Sequence, residues 1–136
     1  MPNRWLFKTE PSAYSFQQLV KDKRTVWDGV KNNLALKHLR EIKRGDAIIV
    51  YHTGDEKAAV GVARALSGSY PDPAKKDPKL KVVEIEPDKA LPRPVTLAEM
   101  KASAKLQGFD LVRLPRLSVM PVSEEQWKAI EGMAGM

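Results

Sequence analysis

Cysteine is absent from this 136-residue chain. No disulfide, thiolate metal site or thiol nucleophile can be built from it, and the composition suits a reducing compartment. Long apolar runs are missing as well. The longest, Ala47–Tyr51, falls far short of the roughly 20 residues a membrane-spanning helix requires. Met1–Lys8 carries no apolar core or small-residue cleavage site of a secretory leader, so a cytoplasmic location without a membrane partner is expected. His38 and His52 are the only histidines, and neither belongs to a spaced His/Asp/Glu cluster, so no metal is expected. The phosphate-cradling patterns GxxxxGKS/T and GxGxxG and the nucleophile elbow GxSxG are all lacking. No cofactor and no familiar catalytic machinery are therefore expected.

What is present is positive charge, unevenly spread. Net charge is +6. Residues 1–68 hold 12 Lys/Arg against 7 Asp/Glu, whereas residues 69–136 hold 11 against 10. A basic half suits a polyanionic partner such as nucleic acid, and a merely solvated surface would read the same way.

Length and even composition predict one domain over residues 1–136, expected as a monomer. Arg4–Thr9 reads as a first strand, ended by Glu10-Pro11. Ser15 with Gln18 forms a capping-box pattern opening a short helix to about Lys21. Asn32 or Asn33 caps a second helix predicted to reach about Lys43 and to stop at Gly45. Asp46–Thr53 and Ala58–Leu66 pattern as a hairpin, in which Ala59, Gly61, Ala63 and Ala65 give one face of small residues open to close approach. Tyr70–Pro78, with three prolines, predicts irregular chain, and Leu80–Glu86 a further strand. Leu111–Leu114 and Leu117–Met120 read as short strands, flanked by helices capped at Thr96/Glu99 and Ser123/Gln126. Short strands with helices inserted between them predict an α+β mixed barrel or curled sheet.

The densest chemistry lies in Trp27-Asp28-Gly29-Val30-Lys31-Asn32. Trp27 either fills the core or offers a flat stacking wall, and its position alone leaves both open. In the helix that follows, Lys37, Arg40 and Arg44 fall in one sector at 100° per residue, opposite Ala35, Leu39 and Ile42. With Lys31 they form a stripe suited to phosphates, or an ordinary solvated face. His52 reads as a pocket-wall hydrogen-bonding group, or as a base to a hydroxyl such as that of Ser118.

Distributed motifs carry a family resemblance. They are Trp5-Leu6-Phe7-Lys8-Thr9-Glu10-Pro11, the Trp27–Asn32 segment, Gly45-Asp46 and Tyr51-His52-Thr53. They continue through Val60–Ala63, Tyr70–Pro73 and Arg116–Val122, with Trp127 in the closing helix. In order and spacing the chain resembles the EVE domain family, whose fold belongs to the PUA-like barrels. Thr9 and Thr53 stand where the family commonly has serine, and Lys31 where it has arginine. The resemblance implies a non-catalytic reader of a modified nucleobase, notably a modified cytosine in DNA with RNA next, that accepts a flipped base. By position it assigns Trp27 to the pocket's aromatic wall and makes Lys8, Thr9, Glu10, Asn32, Tyr51, His52 and Ser118 its polar candidates. Two alternatives stand beside it: a hydrolase or RNA-processing enzyme using Glu10 and His52 as an acid/base pair, and an adaptor for a small molecule or protein.

Overall fold

A computed structural model describes residues 3–135, so residues 1, 2 and 136 of the expected domain lie outside the described residues. Seven strands form the framework: β1 (Arg4–Thr9), β2 (Thr25–Trp27), β3 (Ala47–His52), β4 (Ala58–Ala65), β5 (Tyr70–Pro71), β6 (Lys81–Thr96) and β7 (Val119–Pro121). Five α-helices lie between or after them, α1 (Phe16–Asp22), α2 (Asn33–Glu41), α3 (Leu97–Ala102), α4 (Asp110–Arg113) and α5 (Glu124–Met133), with a short 3-10 helix at Ala104–Leu106. The sheet runs β2-β6-β4-β3-β1-β7, with β5 paired to β6 beside this path. All pairings are antiparallel except β1 with β3, which lie parallel because α1, β2 and α2 are threaded between them.

The sheet curls strongly. β2 and β1 stand first and fifth in its order, which in a flat sheet would put them about 19 Å apart at ~4.8 Å per strand. Yet Phe7 on β1 and Trp27 on β2 bring their ring centroids to 5.2 Å. The result is an α+β half-barrel whose far edges converge. Its core takes Leu6, Phe7, Ile48, Ile49, Val83 and Ile85 from the strands, with Leu19, Leu39 and Trp127 from the helices.

Local chemistry explains the helix ends. Thr96/Glu99 and Ser123/Gln126 form complete capping boxes. At Ser15 only half the box exists: the Ser15 hydroxyl accepts from Gln18 N–H, while the Gln18 amide turns along the helix to Asp22. The helix α2 ends at Glu41, short of the predicted Lys43, because Ile42 turns to extended geometry and is buried. Asp46 stabilises that turn. Its buried carboxylate accepts from Lys43 N–H, Asn3 N–H and the Trp5 indole, each at 2.9–3.0 Å.

Three expectations are corrected. Leu111–Leu114 is not a strand: residues 110–113 form one helical turn, with Asp110 bound to Arg113 at its start. Tyr70–Pro71 is not irregular but pairs with Val82 and Lys81. The strand predicted at Leu80–Glu86 runs on to Thr96 despite Pro87, Pro92 and Pro94. Pro92 and Pro94 fall in the slipped register with β4, which leaves Asp88 and residues 91–94 out of the ladder, whereas Pro87 stays paired with Ala63 beside the slip. Bulges are where proline's missing donor does no harm.

The small-residue face of β4 admits a close neighbour, as its pattern predicts. The neighbour is Phe16 of α1, whose ring comes so close to Gly61 that any Cβ there would collide with it.

Candidate functional site

A cleft of about 540 Å³ opens where β1 ends and β2 passes, closed on a third side by the turn from Glu10 to Tyr14. Its walls are Lys8, Thr9, Glu10, Ala13, Tyr14, Thr25, Val26, Trp27 and Asp28. The turn forms because Glu10 carbonyl accepts from both Ala13 and Tyr14 N–H, and because Thr9 Oγ1 donates to Tyr14 carbonyl at 2.7 Å. Thr9's proton is thereby committed, and its oxygen can only accept from a ligand.

Trp27 is 8% exposed, packed on Phe7 behind and met edge-on by Tyr14. Its indole N–H has no partner among the described residues, where no buried side-chain nitrogen or oxygen is left unpaired. That N–H therefore reaches the accessible side of the ring. Trp5 offers the contrast, with its indole N–H fixed on Asp46.

Charge is distributed around the ring. The Glu10 carboxylate is held loosely, by Ser12 and by Thr53 Oγ1 at 3.4 Å. Asp28 is exposed at the rim. Lys8 is half-buried, and this desolvation lowers its pKa from the ordinary lysine value. Its ammonium donates to Pro115 carbonyl at 2.7 Å and keeps two further protons for a ligand.

Lys8 is also the wall of a second cleft, about 270 Å³, which includes Tyr51, Thr53, Lys57 and Pro115. Beyond Pro115 lies a third hollow of about 320 Å³, lined by Asn32, Leu34, Leu114, Pro115, Arg116 and Leu117. A larger surface hollow, about 610 Å³, lies on α5 among Lys105, Ser123, Glu124, Glu125, Lys128 and Ala129, with no ring for a base to stack on.

Of the residues singled out in the sequence, Trp27, Lys8, Thr9 and Glu10 thus share one cleft, and Tyr51 lies in the neighbouring one. His52 lies elsewhere. It is 1% exposed, with Nε2 accepting from Phe16 N–H at 2.9 Å and Nδ1 2.6 Å from Glu56 Oε1. Acceptance at Nε2 puts the ring proton on Nδ1, so His52 fastens the start of α1 to the β3–β4 turn. Asn32 is the N-cap of α2, its Oδ1 accepting from Leu34 and Ala35 N–H. Ser118 lines neither of the first two clefts, and its carbonyl receives Lys8 N–H.

Lys31, Lys37, Arg40 and Arg44 are exposed and form no ion pair among the described residues. Arg44 leaves the predicted stripe, since α2 has ended before it.

Tyr14 and Asp28 are wall residues that the sequence reading passed over. Asp28 sat within the dense motif. Tyr14 had one signal, an aromatic lodged between the strand-ending Pro11 and the helix cap Ser15.

A curled mixed sheet whose distant edges meet at an aromatic-walled cleft places the molecule in the PUA-like class. The EVE domain family model matches residues 3–133, and the chain belongs to that family. A Rhodopseudomonas palustris protein solved by NMR is 40% identical, with a TM-score of 0.92 over 98% of this chain and 93% of its own. Human thymocyte nuclear protein 1 is 26% identical in sequence over 93% of this chain and 72% of its own. A crystal structure of that human protein in complex with 5-methylcytosine-containing DNA superposes with a TM-score of 0.89 at 25% identity, covering 98% of each chain. Among the described residues no helix is long and apolar enough to cross a membrane, and no group of three His, Asp or Glu could hold a metal ion.

Proposed function

We propose that this protein binds DNA and reads a modified cytosine, taken out of the stack into the Trp27 cleft, without altering it. The observation that carries the reading is the cleft itself: a nearly buried indole sharing its walls with Lys8, Glu10 and Asp28. A flipped cytosine presents an exocyclic amine beside two acceptors. Glu10 or Asp28 suits the amine and Lys8 suits the acceptors, while the base stacks on the indole. The human relative's complex with 5-methylcytosine DNA supports this choice of ligand. Lys31, Lys37 and Arg40 are then the cations that hold flanking phosphates. The commitment of both His52 nitrogens argues against its service with Glu10 as an acid/base pair.

The test is binding to matched oligonucleotides carrying cytosine or 5-methylcytosine, as duplex and single strand, at several stated salt concentrations. Tighter binding of the methylated strand, lost in Trp27→Phe or Glu10→Gln, is expected. Equal affinity for both strands, unmoved by either substitution, would sink the reading.

A further inference from the structure

Resting on that base-reading proposal, we infer that Arg116 is the residue that enters the duplex to occupy the space a flipped cytosine leaves. The turn Leu114–Leu117 is a tight one, closed by Leu117 N–H on Leu114 carbonyl at 3.1 Å, with Pro115 and Arg116 at its two corners. Proline at the first corner fixes its φ in advance. Both feet are held, Leu117 buried and Leu114 packed against the core. The tip is held as well, because Lys8 Nζ donates to Pro115 carbonyl. A turn fixed at three points is a rigid projection, which inserting side chains require.

Its position follows from the same contact. Lys8 walls the Trp27 cleft, so the turn stands one lysine side chain from it. Arg116 is exposed and takes part in no hydrogen bond or ion pair among the described residues. Arg24, Arg64, Arg93 and Arg113 have carboxylate partners, whereas Arg40 and Arg44, equally unpaired, belong to α2 and the turn after it rather than to the segment that Lys8 holds. A flat, uncommitted guanidinium on a rigid tip suits insertion: it stacks between bases and its fork fits the O6/N7 edge of the guanine left without a partner. Proteins that open the stack commonly insert a side chain into it, most often an apolar wedge; here the turn offers a guanidinium in that place.

The experiment uses the full chain and a duplex with 5-methylcytosine opposite guanine and 2-aminopurine as its neighbour. Wild-type protein should raise the 2-aminopurine fluorescence on binding. Arg116→Ala should lose that rise and bind the duplex roughly tenfold more weakly, while binding the methylated single strand as wild type does. Opposite an abasic position, where no guanine is orphaned, the difference between the two proteins should shrink to what stacking alone supplies. Arg116→Lys keeps a charge for a phosphate but not the planar fork, and should fail as alanine does. Full rescue by lysine, or an equal loss on the single strand, would make Arg116 a backbone contact and overturn the inference. If wild-type protein opens the duplex and Arg116→Ala opens it equally, the inference alone falls. If wild-type protein distinguishes neither methylated form, the base reading fails and this inference goes with it.

Discussion

Tyr14 stands edge-on to Trp27, ring planes at 86° and centroids 6.2 Å apart, with its hydroxyl held by Asp22 at 2.8 Å. Phe7 supports the indole from another direction at 5.2 Å. The ring is therefore both cleft wall and core member.

That double role sets the first prediction. Trp27→Ala should cost about 3–5 kcal/mol of stability, the range for a buried aromatic, as well as any stacking with a ligand. Trp27→Phe keeps an aromatic face and should cost less stability than alanine, while its smaller ring weakens stacking. Tyr14→Ala should remove an edge contact worth ~0.5–1.5 kcal/mol, and its effect should shrink when Trp27 is already alanine. Urea midpoints of the three variants and the double mutant check this. Additive losses would show that the two rings are energetically independent.

Much of this arrangement is legible in the sequence, for identifiable reasons. Strands β1 and β3 announce themselves by apolar and β-branched runs, and the helices by side chains that cap them, such as Thr96 and Ser123. The motifs around Trp5 and Trp27 foretell the cleft because each supplies one wall. What resists reading is tertiary. Leu111–Leu114 has strand-like composition but coils because Phe109 and Asp110 begin a turn whose carbonyls accept from residues 112–114. The strand expected at Leu80–Glu86 continues to Thr96 because the slipped register with β4 takes Pro92 and Pro94 out of the ladder. His52 looked like a ligand group because nothing local reveals that Phe16, 36 residues earlier, brings it a buried N–H.

The contact of Phe16 with Gly61 yields the second prediction. Gly61→Ala would place a methyl group 2.4–2.6 Å from three Phe16 ring carbons, and neither partner can readily retreat, since both are buried. Overpacking of this kind costs about 1–3 kcal/mol. Phe16→Leu introduced alongside should recover part of the loss by vacating that space. A lowered denaturation midpoint for Gly61→Ala, partly restored in the double mutant, is expected; an undisturbed midpoint would mean that α1 does not rest on this face.

Alkaline titration gives the third. Desolvation raises the pKa of Tyr14, Tyr51 and Tyr70 above the usual 10.0. A phenol with a raised folded pKa keeps its proton longer in the native state than in the unfolded chain. Its contribution to stability is therefore full below pH 10.0 and is lost as pH climbs through the raised folded values. Lys8 has the opposite sign: its lowered pKa makes folding more favourable as pH rises toward 10.5. Absorbance of the native protein near the phenolate band should thus develop at higher pH than that of the chain in denaturant. Superimposable native and denatured curves would contradict the desolvation of these phenols.

His52 provides the last test, and it separates a structural histidine from a catalytic one. Its ring accepts a buried N–H from Phe16 at one nitrogen and meets Glu56 at the other, so His52→Ala leaves that N–H without a partner. A buried donor stranded in this way costs ~1–3 kcal/mol, and here it lies at the first residue of α1, the helix that follows the cleft-forming turn. His52→Gln brings a carbonyl oxygen that can accept the same N–H and should recover part of the stability. Binding to the methylated strand, measured well below the unfolding temperature, should be little changed in either variant, because His52 does not wall the Trp27 cleft. Wild-type protein incubated with modified oligonucleotides should return them intact. Recovery of cleaved or demodified strands, abolished in His52→Ala and in His52→Gln although both remain folded, would give this histidine a chemical task and overturn the reading of the protein as a binder.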